Sequence, residues 1–257
     1  MTEATGAVQE TTPVACSDDA FLGGSLRILQ PCEGYRAGID PVFLAAAVEA
    51  APGTAVLEAG AGVGVAGLCL ARRLAEARVT GLDVQSTLVD IARLNARRND
   101  LEARVEFVQG DILRPPRALA ARRFDQVMIN PPFYDQSERV RAARAPKRLS
   151  HMGDGAALDD WLSFCLTMLK PKGALTLVHR PDRLGDILRC LEGRAGGVRV
   201  FPLWPRAGAP ARRIVVKAVK GSAGPLSVLP GLALHETGHW FTSGAEAVLR
   251  HGAGLPF

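Results

Sequence analysis

The segment Val56-Leu57-Glu58-Ala59-Gly60-Ala61-Gly62-Val63-Gly64 constrains the fold of this chain more than any other stretch. It reads as a short buried strand with an acid near its end, followed by glycines at every second position. It then enters an Ala- and Leu-rich helix over 65–75. Glycine lets the backbone turn tightly and approach a ligand closely. A strand joined to a helix by such a loop is a unit of a parallel sheet, whose ligands lie at the carboxyl ends of the strands.

The remaining pattern repeats that unit. Asp40 is expected as the N-cap of a first helix, with Pro41 at its first position, running to about residue 50. The predicted strands are 55–59, 79–83, 104–108, 124–129, 175–179, 198–201 and 214–219. Helices are predicted over 65–76, 86–98, 157–169 and 182–191. Leu88, Ile91, Ala92 and Asn95 share one face of the third. Pro171-Lys172-Gly173 reads as a turn, and Ala195-Gly196-Gly197 and 206–210 as loops. The expected fold is α/β, a doubly wound, mostly parallel, seven-stranded sheet with helices on both faces. Residues 1–20 are expected to be a disordered tail, and 21–257 one domain in which 221–257 is a C-terminal extension.

Acids mark three strand ends: Glu58, Asp83 after Val79-Thr80-Gly81-Leu82, and Asp111 after Gln109-Gly110. Asp83 is placed to accept from a ribose diol, and Asp111 to hold an adenine amino group. With Gly60, Gly62 and Gly64 they suit a cationic, adenosine-containing cofactor. The strand at 124–129 ends in Asn130-Pro131-Pro132-Phe133. The two prolines fix φ, remove two donors, and hold the preceding residues out of the helical region. Asn130 then presents acceptor oxygens beyond the sheet edge, and Phe133 a flat apolar face. That is a clamp for a planar group bearing an exocyclic NH2, with Tyr134 a candidate to join it.

These motifs, in this order, resemble the class I S-adenosylmethionine-dependent methyltransferases, in the amino-methylating branch with an Asn-Pro-Pro-aromatic motif. Within that branch, the run from Ile28 through Gly34-Tyr35-Arg36 to Asp40 is similar to the segment before the glycine loop in bacterial valine-tRNA adenine-N6 methyltransferases. The stretches around Asp159-Asp160-Trp161 and Leu232-Ala233-Leu234-His235-Glu236 are similar to that family too. The resemblance implies a Rossmann-like fold with an antiparallel last strand and S-adenosyl-L-methionine as cofactor. It implies methyl transfer to adenine N6 in tRNA, with Asn130, Pro131, Pro132 and Phe133 catalytic. A protein glutamine, ribosomal RNA or DNA remains the alternative substrate, because related enzymes with the same motif methylate those. RNA binding without catalysis is weakened by the intact cofactor loop.

Composition agrees. The 257 residues suffice for one large α/β domain. With 47% hydrophobic and 22% charged residues the chain reads as soluble and globular. No apolar run approaches about 20 residues, so no membrane-spanning helix is expected. The first 19 residues carry four acids and no Lys or Arg, so no signal or transit peptide is expected. Cys16, Cys32, Cys69, Cys165 and Cys190 form no Cys-x-x-Cys pair and read as reduced thiols of a cytoplasmic protein. The net charge of +5 favours a polyanionic partner. Arg139, Arg141, Arg144, Lys147 and Arg148, with no acid among residues 139–148, would place phosphates beside the clamp.

Two motifs point elsewhere. Gly62-x-Gly64-x-x-Gly67 matches the dinucleotide fingerprint, but Gly60 already occupies the place after the strand, so Gly67 is read as helix-to-sheet packing. His235-Glu236-x-x-His239 matches a zinc-helix motif. Thr237-Gly238 is poor helix material and Trp240-Phe241-Thr242 favours extended chain, so no metal is expected. Trp161 is read as helix core.

Overall fold

The computed structural model describes residues 14–34, 36–132, 157–238 and 240–257. A hairpin of β1 (Cys16–Phe21) and β2 (Leu26–Pro31) comes first, then α1 (Asp40–Ala47). Strand and helix then alternate: β3 (Ala55–Ala59), α2 (Val65–Arg73), β4 (Arg78–Asp83), α3 (Ser86–Arg98), β5 (Val105–Gln109), α4 (Arg117–Ala120) and β6 (Phe124–Ile129). After these come α5 (Leu158–Met168), β7 (Leu169–His179), α6 (Leu184–Leu191), β8 (Ala195–Trp204) and β9 (Arg213–Lys220). Short strands β10 (Ser227–Val228) and β11 (Leu232–Ala233) and helix α7 (Ser243–His251) follow.

The main sheet runs β10-β8-β9-β7-β6-β3-β4-β5, with β11 also on β8. The seven expected strands form its body, and β9 is antiparallel to both β7 and β8. Helices cover both faces, so the central strands are mostly apolar, although Glu58, Thr80 and Thr176 are buried within them. In β3, Val56 enters the core beneath α1, α2 and α3, while Leu57 enters the core beneath α5 and α6. The alternation is the period of two of a strand.

Four expectations require correction. Residues 16–20, placed in a disordered tail, form β1, which pairs along its length with β2. Asp40 is not a cap: Ile39 occupies that position, and Asp40 Oδ2 instead accepts from Arg213 Nε at 2.8 Å. Pro171-Lys172-Gly173 is a bulge inside β7, where the pairing with β6 slips between Phe124 and Gln126 and Lys172 adopts φ +63°. Ala195-Gly196-Gly197 begins β8, again with a slip; a side chain at Gly196 would strike the Ser222 carbonyl, and Gly197 has φ +57°.

The hairpin is held by α3. Leu29 N–H donates to Asn95 Oδ1 at 2.8 Å, and Asn95 Nδ2 donates to the Leu29 and Val63 carbonyls at 3.0 Å each. One turn on, Arg27 N–H donates to Asn99 Oδ1 at 2.9 Å and Asn99 Nδ2 to the Arg27 carbonyl at 2.8 Å. Both amides are buried, so each bond replaces water that has no access. Asn95→Ala is therefore expected to lower stability by about 2–4 kcal/mol, since it strands three backbone groups. The check is a urea titration, in which the midpoint falls at constant slope.

Candidate active site

The glycine loop is shaped by bonds from β3 to β4. Gly60 and Ala61 N–H both donate to the Leu82 carbonyl, at 2.8 and 2.9 Å. Gly62 N–H donates to Asp83 Oδ2 at 2.8 Å, and Gln85 N–H to Asp83 Oδ1 at 2.9 Å. Each carboxylate oxygen keeps a further lone pair. Gly110 N–H donates to the Asp83 carbonyl at 2.9 Å, which brings the Asp111 strand end alongside. Asp111 Oδ1 accepts from Leu113 N–H at 2.9 Å in a tight local turn.

The three glycines do different work. A side chain on Gly60 would strike the Trp161 ring, and one on Gly64 the Phe107 ring at 2.4 Å. Gly62 has φ +54° and faces open space. Gly62 thus leaves its backbone open to close approach, whereas Gly64 lets α2 begin against β5. Gly67 packs as the sequence suggested: its N–H donates to Glu58 Oε2 at 2.8 Å, and a Cβ there would lie 2.7 Å from the same oxygen.

Glu58 lies under this loop with only 5% of its surface exposed. Burial pushes its carboxyl up to about 8 from 4.5. The Gly67 bond opposes the rise and the Asp83 charge adds to it. Glu58 is therefore predominantly protonated at neutral pH in the ligand-free protein.

The register sets Ala59 opposite both Leu82 and Ile129, so Asn130 emerges next to Gly60 at the same edge. Asn130 Oδ1 is buried and has no hydrogen-bond partner among the described residues. Pro131 is buried and Pro132 exposed. Phe133, Tyr134, Arg139, Arg141, Arg144, Lys147 and Arg148 lie outside the described residues, as do Tyr35 and His239. Residues 38–183, more than half of the chain, match the family described as the methyltransferase small domain.

The chain belongs to that methyltransferase family.

A tRNA1(Val) (adenine(37)-N6)-methyltransferase of Porphyromonas gingivalis is 31% identical over 196 residues, which cover 72% of this chain and 76% of that one. One of the same name from Glaesserella parasuis is 25% identical over 74% of this chain and 78% of its own. A release factor glutamine methyltransferase of Moorella thermoacetica is 29% identical over 68% of this chain and 56% of its own. Among solved structures, a predicted O-methyltransferase of Agrobacterium tumefaciens superposes with a TM-score of 0.70 at 27% identity, covering 84% of this chain and 98% of that one. The chain is accordingly an S-adenosylmethionine-dependent methyltransferase with the class I fold. No helix among the described residues is long and apolar enough to cross a membrane.

The structure adds residues that the sequence reading passed over. Val84 and Leu113 are 60% and 53% exposed, yet they flank Asp83 and Asp111 at adjoining strand ends. They offer apolar edges to a flat ring. Trp161, read as core, packs its ring on Gly60, and its buried Nε1–H has no partner among the described residues. His179 ends β7, in the strand beside β6. Burial, reinforced by Arg183, depresses its imidazole to about 4, so it is neutral at physiological pH. Only Val84 had a sequence signal, its position directly after a strand-end acid.

The described residues 235–238 of the zinc-helix motif of this methyltransferase are not helical. Glu236 N–H donates to the Trp240 carbonyl at 3.0 Å and His235 bridges to Phe241, so the two arms run antiparallel.

Glu58 supplies a pH test. Its folded pKa is above its unfolded one, so between about 4.5 and 8 the folded protein keeps a proton that the unfolded chain has lost. Ligand-free stability should fall as pH rises through that window. Thermal melts at pH 5, 6, 7 and 8 are expected to show Glu58→Gln gaining on the parent protein towards pH 8. A constant difference across the series would mean that the buried carboxylate is ionised throughout.

Proposed function

We propose that this methyltransferase transfers a methyl group from S-adenosylmethionine to the exocyclic N6 of an adenine in tRNA. The observation that carries the reading is the buried Asn130 Oδ1 beside the glycine loop, which has no partner among the described residues. A buried acceptor left unmatched costs about 1–3 kcal/mol, and an incoming NH2 at the sheet edge would remove that cost.

In this reading the cofactor supplies a methyl group on a sulfonium, already a good leaving group. Gly62 gives the backbone approach, Asp83 accepts from the ribose and Asp111 from the adenine amino group, with Val84 and Leu113 against the ring. Glu58 lies under the loop, where a cation above favours its ionised form. Asn130 Oδ1 and the Pro131 carbonyl accept from the target NH2, draw its lone pair out of the ring, and align it with the methyl group. Pro131 and Pro132 hold that geometry, and Phe133 stacks on the base, which must leave any helical stack to enter. No base is required before transfer, because the proton is lost from the methylated ammonium afterwards. The basic run Arg139, Arg141, Arg144, Lys147 and Arg148 is proposed to bind phosphates, and the enzyme is proposed to act in the cytoplasm.

The relatives named for tRNA support this substrate over a protein glutamine. The Porphyromonas gingivalis enzyme is matched over 76% of its length, the release factor enzyme over 56%. The net charge of +5 points the same way.

The experiment is incubation of unmodified tRNA with enzyme and isotopically labelled cofactor, followed by mass spectrometry of the nucleosides. Labelled N6-methyladenosine is expected. Asn130→Ala should lower its rate by ~100-fold, by analogy with removal of one preorganised polar contact, while S-adenosylhomocysteine still binds. Label found only in a release factor glutamine would replace tRNA by protein as the substrate.

A further inference from the structure

Within the tRNA reading just given, on which this inference rests, we propose that the C-terminal hairpin and the loop beside it form a second RNA contact. In it, Trp240 stacks on an unpaired base and Arg212 binds the neighbouring phosphate.

Strands β6, β7 and β8 point the same way, and β9 runs against them. The ends of β6 and β8 and the start of β9 therefore share one edge of the sheet. Asn130 opens that edge, and Arg180 follows one strand over. His179 pairs with Ile214, and Arg213 with Leu203, so Arg212 and the 205–212 loop come next. At about 4.8 Å per strand, the end of β8 lies roughly 14 Å from the end of β6. That span suits a chain of a few nucleotides leaving the site.

Chemistry is the second observation. Trp240 is 78% exposed, the largest exposure among the large apolar residues described. Its backbone is nevertheless fixed: the Trp240 carbonyl accepts from Glu236 N–H at 3.0 Å, and behind it His235 stacks on Phe241 with ring centres 4.6 Å apart. Arg206 Nη2 donates to the Gly238 carbonyl at 2.7 Å and ties the hairpin to the 205–212 loop. An indole held out into water on a rigid support loses little freedom when a base stacks on it. Arg212 is exposed, and none of its side-chain nitrogens makes a hydrogen bond or ion pair among the described residues. The 205–212 loop carries Arg206 and Arg212 and no acid, and Glu236 is the single acid in the hairpin. A flat aromatic on the hairpin that Arg206 ties to the loop bearing the Arg212 guanidinium complements a base and its phosphate.

The test uses the full chain and a fluorescently labelled, unmodified tRNA transcript with adenine at position 37. Anisotropy is measured over a range of salt for the parent protein, Trp240→Ala, Trp240→Phe and Arg212→Ala. Trp240→Ala should weaken binding by about tenfold without changing the salt slope, and Trp240→Phe should recover most of the loss. Arg212→Ala should reduce the log–log salt slope by about one unit. Calorimetry with S-adenosylhomocysteine verifies that each variant is folded. If the parent methylates tRNA while Trp240→Ala and Arg212→Ala bind it with unchanged affinity and slope, the second contact is overturned and the function stands. If the parent neither binds nor methylates tRNA, both fall. A change in sedimenting mass with Trp240→Ala would show that the surface holds a second copy of the chain, which also overturns the proposal.

Discussion

The site depends on how β3 and β4 finish. The Leu82 carbonyl takes two N–H donors from the glycine loop, and the Asp83 carboxylate takes a third. Three successive amides are thereby bent around the end of the neighbouring strand. That curvature requires left-handed backbone at Gly60 and Gly62. It turns Gly62 to open space, aligns the start of α2 over Glu58, and leaves room beside Gly60 for Asn130 on one side and Trp161 on the other. The Leu82 carbonyl and the Asp83 carboxylate together shape the loop, and the carboxylate oxygens keep lone pairs for further donors.

Around that frame the structure keeps several polar groups in costly states. Glu58 is protonated by burial, His179 is neutral, and the Asn130 oxygen and the Trp161 N–H lack partners among the described residues. All four lie at or just beneath the carboxyl edge of the sheet. Stability elsewhere comes from two continuous apolar cores on either side of the strands. The molecule tolerates local polar mismatch where a ligand can relieve it.

Much of the sheet was legible because burial on both faces gives the strands short apolar stretches such as Val56-Leu57, Val127-Met128-Ile129 and Leu177-Val178, and because Glu58, Asp83 and Asn130 mark the ends of β3, β4 and β6. The hairpin was not. Cys16–Phe21 has two acids in six residues and no apolar period, and the groups that complete its partner strand are side-chain amides of a helix over 60 residues away. The bulges in β7 and β8 hid strand behind glycine and proline, which read locally as turns. Glu58, Gly62, Asp83 and Asn130 stood out in the sequence by type and position, and the fold brings them to one edge of the sheet. Trp161 did not, since its meaning lies in contact with Gly60 from across the fold. Asp40 misled for the opposite reason: it has the look of a cap, but Arg213, 173 residues later, claims its carboxylate.

Asn95 and Asn99 also set a measure of length. Four residues of helix advance about 6 Å, and two residues of strand about 6.6 Å. The two amides consequently meet Leu29 and Arg27 in step, each offering both a donor and an acceptor to the same residue. A strand slipped by one residue would turn its other edge to them and set its side chains on the wrong face. Helix α3 thus acts as a gauge for β2: it accepts one register and one direction, on the edge that β1 leaves open.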